Sequence, residues 1–183
     1  FIDFETAAVA LPFHTGMRPY ESLAFQFSHH VMDANGEVSH IGQFLCAEPG
    51  FFPNYAFARA LMRELDGDEG TVFMWSHHEN TILSAISRQL TEDDNPPDDR
   101  DALLNFLGSL TKGGGRAMFD LCNLAGKAYF HPDTQGSSSI KKVLPAILKG
   151  SDLLKAKYSQ PIYGAPGGMP SLNFESPDGF AWI

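Results

Sequence analysis

The chain opens with the hexapeptide Phe-Ile-Asp-Phe-Glu-Thr, in which two acids, Asp3 and Glu5, alternate with apolar residues. Alternate residues of a β-strand project to the same face, so both carboxylates face one side. Carboxylates held close together repel each other and are costly to bury unless a cation joins them. Oxygen-only ligands suit Mg²⁺ or Mn²⁺. The pair therefore predicts a divalent metal site, with two solvated acids on an exposed sheet face as the alternative.

Two later acids each follow an apolar segment and are candidates to join this site. Glu79 comes after the apolar run 71–76 and the pair His77-His78, where a strand gives way to a helix. Open α/β sheets place ligand sites at such carboxyl ends of strands. Asp120 ends a second strand-like segment. Glu79 and Asp120 are thus candidate metal ligands, and His78 is a candidate phosphate contact. The alternatives are a first-turn acid favoured by the helix dipole for Glu79 and a turn brace for Asp120.

A fourth segment, HPDTQGSSSIKK, combines a serine run with two lysines at the start of an expected helix. Backbone N–H groups at a helix N-terminus can bind a phosphate, so Ser139 and Lys141 are candidate substrate contacts. A capped surface helix with solvated lysines is the alternative. The glycine-rich stretch 112–116 lacks the P-loop pattern, and no H-E-x-x-H or G-x-S-x-G motif occurs.

The overall charge limits the partners that the chain can bind alone. Its 183 residues carry a formal charge of −9, which argues against tight non-specific binding to a phosphate backbone. No apolar run reaches the length of a membrane-spanning helix, so we expect a cytoplasmic protein without a membrane partner. The first residue is Phe1 and not methionine. We therefore expect a fragment of a longer protein whose other domains are its partners.

The elements that must position these residues follow an α/β order. Segments 22–33 and 38–47 flank Asn35-Gly36 and predict a hairpin beside the opening strand, which we expect to be central with little exposed face. Asn54 is the expected cap of the next helix. Residues 123–131 fit either a helix or irregular structure. The pattern predicts further strands at 71–76 and 116–121, helices at 55–65, 78–90 and 101–110, a helix from Ile140 that kinks or stops near Pro145, and irregular structure after Tyr158.

These motifs together resemble an uncharacterised bacterial domain-of-unknown-function family related to the DEDD superfamily of 3′–5′ exonucleases. The resemblance is carried by FIDFET, RPYESLAFQFSHH, WSHHENTIL, the segment 119–148 and PIYG. It implies one RNase H-like domain over residues 1–183, with a mixed sheet, three leading antiparallel strands and flanking helices.

The resemblance also implies a catalytic metal centre. Asp3 and Glu5 match the first-motif acids that hold two Mg²⁺ or Mn²⁺ ions. Glu79 falls where the second motif has an aspartate after an asparagine and an aromatic residue, and here His-His precedes it. Asp120 matches a later acid. The last acid of the superfamily has no match here and is expected beyond Ile183.

The function implied is that of a nuclease, a 3′–5′ exonuclease that hydrolyses the single-stranded ends of DNA or RNA by a two-metal mechanism. Asp152 and Asp178 are candidates for the fourth acid on chemistry alone. Two alternatives stay open. One is a non-catalytic RNase H-like module that binds nucleic acid or protein, and the other is a phosphoesterase for small nucleotides, which needs no basic groove.

Overall fold

The structure is a computed structural model that describes residues 1–161, 163–166 and 176–181. The chain divides into two compact units, Phe1–Leu121 and Cys122–Ile183, which are described in turn. The mixed α/β fold with three leading antiparallel strands is confirmed. The single-domain organisation stays a prediction.

A three-stranded antiparallel sheet opens the first unit. It contains β1 (Ile2–Ala7), β2 (Leu23–Met32) and β3 (Val38–Leu45) in the spatial order β1-β2-β3. The predicted hairpin joins β2 to β3. Its loop is closed by the backbone bond from the N–H of Asp33 to the carbonyl of Glu37 at 3.0 Å, and Gly36 takes the positive φ of 84° that glycine accepts without strain.

The rest of the first unit packs helices around a small parallel pair of strands. These elements are α1 (Asn54–Glu64), β4 (Phe73–Met74), α2 (His78–Glu92), α3 (Arg100–Leu110) and β5 (Phe119–Asp120), and β4 pairs with β5. One apolar cluster joins the sheet to these helices, with Phe57 of α1 in edge-to-face contact with both Phe4 and Phe27. Burial of this cluster is the main stabilising contribution to the unit.

The structure corrects two expectations about the strands. The predicted strands 71–76 and 116–121 shrink to the two-residue strands β4 and β5. Strand β1, expected to be central, is an edge strand of its sheet and pairs with β2 alone among the described residues. The ring of Phe1 stacks on Phe73 at 5.0 Å, so β4 runs beside β1 without extending its ladder.

The position of Asn54 suggested a cap for α1, but its side chain instead joins three segments of the core. The cap position is Pro53, and Asn54 is the first helical residue and fully buried. Its Oδ1 accepts a hydrogen bond from the N–H of Ala24 at 2.7 Å, and its Nδ2 donates to the carbonyl of Ser22 at 3.0 Å and to the side chain of Gln89. The side chain therefore connects β2, α1 and α2.

Replacing Asn54 with alanine is expected to lower the free energy of unfolding by about 2–3 kcal/mol, because the buried N–H of Ala24 loses its acceptor. Urea denaturation followed by circular dichroism measures the change. Asn95, which is exposed, supplies the control, and its alanine variant should stay within about 0.5 kcal/mol of wild type. A loss below about 1 kcal/mol for the Asn54 variant would contradict the role assigned to its amide.

The second unit consists of short helices. They are α4 (Leu121–Ala128, whose first residue ends the first unit), a 3₁₀ helix at Pro132–Thr134, α5 (Ile140–Gly150) and α6 (Asp152–Tyr158). The open alternative for 123–131 is resolved as helix up to Ala128, and α5 runs through Pro145 without stopping. The segment after Tyr158, including part of the PIYG match, lies partly outside the described residues. No described helix is both long and apolar enough to cross a membrane.

Candidate active site

Asp3 and Glu5 share one face of β1, as the alternation predicts. Ile2 and Phe4 point into the core, whereas both acids are exposed. Across the strand pair, Asp3 lies opposite Ser28 and Glu5 lies opposite Gln26, so the outer face of the sheet is polar around them. The expectation of a face with little exposure is wrong, because β1 is an edge strand and no described helix covers this side of it at the two acids.

Glu79 is the unusual acid of the first unit. It is the second residue of α2, yet it is only 3% exposed, and its Oε2 has no hydrogen-bond partner among the described residues. The pKa of Glu79 is raised from 4.5 to about 7, chiefly by burial and further by the negative charges of Asp3 and Asp120. Its own backbone N–H donates to the carboxylate and opposes this rise in pKa. A surface acid that is only favoured by the helix dipole would not be buried in this way. That alternative therefore does not explain the burial of Glu79.

Asp120 reaches the same region from the end of β5. Its Oδ1 accepts a hydrogen bond from the backbone N–H of Ser76 at 3.0 Å, which ties β5 to the turn between β4 and α2. Ser76 has a φ of 77°, a left-handed conformation that a non-glycine residue adopts at some cost. Asp120 thus holds the turn that carries Glu79. Its negative charge also raises the pKa of the Glu79 carboxyl.

The paired histidines lie on that same turn. His77 Nδ1 is 3.2 Å from the hydroxyl of Ser76, and His78 Nε2 is 3.4 Å from the hydroxyl of Thr6. Since Thr6 follows Glu5 on β1, His78 lies near the end of the strand that bears the first two acids. The contacts of Thr6 and Ser76 could not be predicted from the sequence. A single hydroxyl side chain and a positive φ are not marked by any sequence pattern.

The charges of Asp3 and Asp120, from two other segments, act on the carboxyl of Glu79, and Glu5 lies two residues beyond Asp3 on β1. An all-oxygen donor set of this kind suits a hard divalent cation. The buried Oε2 of Glu79, which has no hydrogen-bond partner in the described part of the chain, is consistent with a position for such a cation. Over the part of the chain that the structure describes, no three His, Cys, Asp or Glu side chains are already gathered closely enough to hold a metal ion. Binding would thus require side-chain movement, which the exposed Asp3 and Glu5 can make.

Ser139 and Lys141 belong to the second unit, which is described by itself. Ser139 occupies the cap position of α5, is exposed, and makes no side-chain capping bond there. Lys141 is exposed as well. Of the two candidates for a further acid, Asp152 pairs with Lys155 at 3.3 Å within α6, and Asp178 is exposed.

Comparison with known proteins identifies a family and no characterised relative. No curated protein and no solved structure matches the chain. One family model matches residues 1–139, which are most of the chain and include the acids of the first unit. The chain therefore belongs to the family described as domain of unknown function DUF2779.

Proposed function

We propose that this chain is a metal-dependent nuclease of the RNase H-like type that hydrolyses phosphodiester bonds at single-stranded 3′ ends. The observation that carries the proposal is the buried carboxyl of Glu79, whose Oε2 has no hydrogen-bond partner within the described ranges and whose pKa is raised by the charges of Asp3 and Asp120. A protein that keeps mutually repelling acids together bears a cost in stability. A bound divalent cation removes that cost.

The fold supports the same assignment. Three leading antiparallel strands are followed by a parallel pair and flanking helices, and the first strand carries Asp-x-Glu on its outer face. The three leading antiparallel strands and the flanking helices agree with part of the expectation from the resemblance to DEDD exonucleases, whereas the described strands form two separate sheets and not one mixed sheet. The RNase H-like assignment is part of the proposal. Its support is the strand order and the acids of one motif.

Each residue has a defined role in the proposal. Asp3, Glu5, Glu79 and Asp120 would hold Mg²⁺ or Mn²⁺. When bound, such an ion would lower the pKa of the attacking water and stabilise the leaving oxygen. In the proposal the phosphodiester binds on the outer face of β1, where Asp3 and Glu5 are exposed opposite the half-buried Ser28 and Gln26.

The ring of His78 lies 3.4 Å from the hydroxyl of Thr6 at the end of β1, and in the proposal it contacts a phosphate oxygen of the substrate. Ser139 and Lys141 stay candidate contacts for a more distant phosphate. Because the chain carries a charge of −9, strong affinity for a nucleic acid strand would have to be supplied by a further, basic domain.

Two other functions each have an observation in their favour. The negative charge favours a phosphoesterase for small nucleotides, since such a substrate needs no basic groove. The absence of a closed metal cluster among the described residues favours a non-catalytic interaction module. The assay below separates all three functions.

The test is a single-turnover assay with excess protein, Mn²⁺ and single-stranded DNA or RNA labelled at its 5′ end. The proposal predicts a ladder that shortens one nucleotide at a time and disappears when EDTA replaces Mn²⁺. A nitrophenyl ester of a nucleotide, assayed in parallel, identifies a phosphoesterase if only the ester is cleaved. Cleavage of neither substrate would favour the interaction module.

A further inference from the structure

A pair of histidines on the outer face of the sheet forms a second cluster of chemical groups. His30 of β2 and His40 of β3 are direct partners across the strand pair, and their ring centroids are 4.9 Å apart with an interplanar angle of 52°. The rings are tilted and not stacked flat. His30 is half-buried and His40 is exposed, so a ligand can reach the pair from solvent.

A β-bulge creates this pair. The register passes from His29 opposite Gly42 directly to His30 opposite His40, which leaves Ile41 as the extra residue. Without the bulge, Ile41 would lie opposite His30, and His40 would point to the other face of the sheet. Ile41 itself is 55% exposed. The irregularity thus places two imidazoles side by side on the outer face of the sheet.

The spacing of the rings suits a shared metal ion. Imidazole binds Zn²⁺ through nitrogen at about 2.0–2.1 Å. Two imidazoles on one tetrahedral ion therefore place their ring centroids about 5 Å apart, and the observed separation is 4.9 Å. Small rotations of the two side chains would aim one nitrogen of each ring at the same point.

The surroundings favour a cation that binds neutral imidazole over an anion. The pKa of His30 is lowered, chiefly by burial and then by the charges of His40, the amino terminus and His29, so the ring is held in its neutral, metal-binding form. Asp3 lies on the same face, because its partner Ser28 is two residues before His30. Its carboxylate adds negative charge to this face, which favours a cation beside the two histidines.

We propose that His30 and His40 form a binding site for a divalent transition-metal ion of the imidazole-binding class, with Zn²⁺ as its type and water completing the coordination. The site is separate from the acidic site that would take Mg²⁺ or Mn²⁺, and it does not depend on the proposed nuclease function. An ion bound there would tie β2 to β3 on the face next to Asp3 and Glu5.

The experiment is a calorimetric titration of the whole chain with Zn²⁺, using wild type, His30→Gln, His40→Gln and Asp3→Asn. His14→Gln is the control, because His14 lies on a loop outside the sheet. The proposal predicts that wild type, His14→Gln and Asp3→Asn share a Zn²⁺ site of the same affinity. It predicts affinity at least about tenfold weaker in the His30 and His40 variants, in line with the loss of one of two protein ligands.

Thermal unfolding gives a second readout, since an ion that binds only the folded chain raises its Tm. Zn²⁺ should raise the Tm of wild type and Asp3→Asn but not that of His40→Gln, whose exposed side chain can be changed without disturbing the core. Zn²⁺ binding by His30→Gln and His40→Gln at wild-type affinity would overturn the proposal, as would failure of wild type to bind. Loss of Zn²⁺ binding in Asp3→Asn with retention in both histidine variants would place the ion at the acidic site and overturn it too.

Discussion

Replacing Asp3 with asparagine is expected to lower the rate of phosphodiester hydrolysis at least about 100-fold, the loss typical when a charged group of a reaction centre is removed. Asparagine keeps the size of the side chain and removes its charge. Asp3 is exposed and its neighbours Ile2 and Phe4 carry the packing of β1, so the variant should fold normally. The single-turnover oligonucleotide assay measures the rate at saturating Mn²⁺.

Asp98→Asn is the matched control for this experiment, because Asp98 is an exposed acid on a loop of the same unit. It should cleave at the wild-type rate. The circular dichroism spectra of the three proteins should agree, which shows that each is folded. An Asp3→Asn variant that keeps more than about a third of the wild-type rate would contradict a catalytic metal site on β1.

The free energy of unfolding is expected to fall by about 3 kcal/mol through Glu79 as the pH rises from 4.5 to about 7, the interval between its ordinary and its folded-state pKa. The raised pKa means that the folded protein holds the proton more tightly than the unfolded chain. The stabilisation is therefore fully present below pH 4.5 and is lost by the time the pH exceeds about 7. Urea denaturation at several pH values without divalent ions measures this change.

Glu79→Gln should remove this part of the pH dependence and should be more stable than wild type above pH 7, because a neutral amide replaces the buried charge. Asp3→Asn should shift the fall in the free energy of unfolding to lower pH than in wild type. One of the like charges that raise the pKa of Glu79 is then gone. Glu69→Gln, an exposed control, should keep the wild-type profile. A Glu79→Gln profile parallel to that of wild type would show that the carboxyl is not buried as described.

Short-range patterns were sufficient to predict much of the sheet. The hairpin at Asn35-Gly36 and the shared face of Asp3 and Glu5 depend on turn chemistry and on the two-residue period of a strand, both of which are local. The strands at 71–76 and 116–121 were predicted too long, because an apolar run marks burial and does not require ladder hydrogen bonds. Strand β1 was wrongly expected to be central, since pairing partners come from distant parts of the chain.

The candidate site was only partly predictable for the same reason. Glu79 could be named from its place at a helix start, but its burial depends on the turn held by Ser76 and Asp120, which lie 44 residues apart in the chain. Asn54 was expected to cap a helix, whereas its partners Ala24 and Gln89 are 30 and 35 residues away. The bulge that pairs two histidines depends on register, which no single strand encodes.

The most direct test of the central claim is a calorimetric titration of Mn²⁺ into the whole chain, comparing wild type with Asp3→Asn and Asp98→Asn. The acidic site predicts saturable binding to wild type and Asp98→Asn that Asp3→Asn removes. It also predicts that Mn²⁺ binding at pH 6 releases a proton from Glu79, visible as a dependence of the heat on the buffer. Absence of saturable binding to wild type, or equal binding by Asp3→Asn, would contradict the metal site and favour the interaction module.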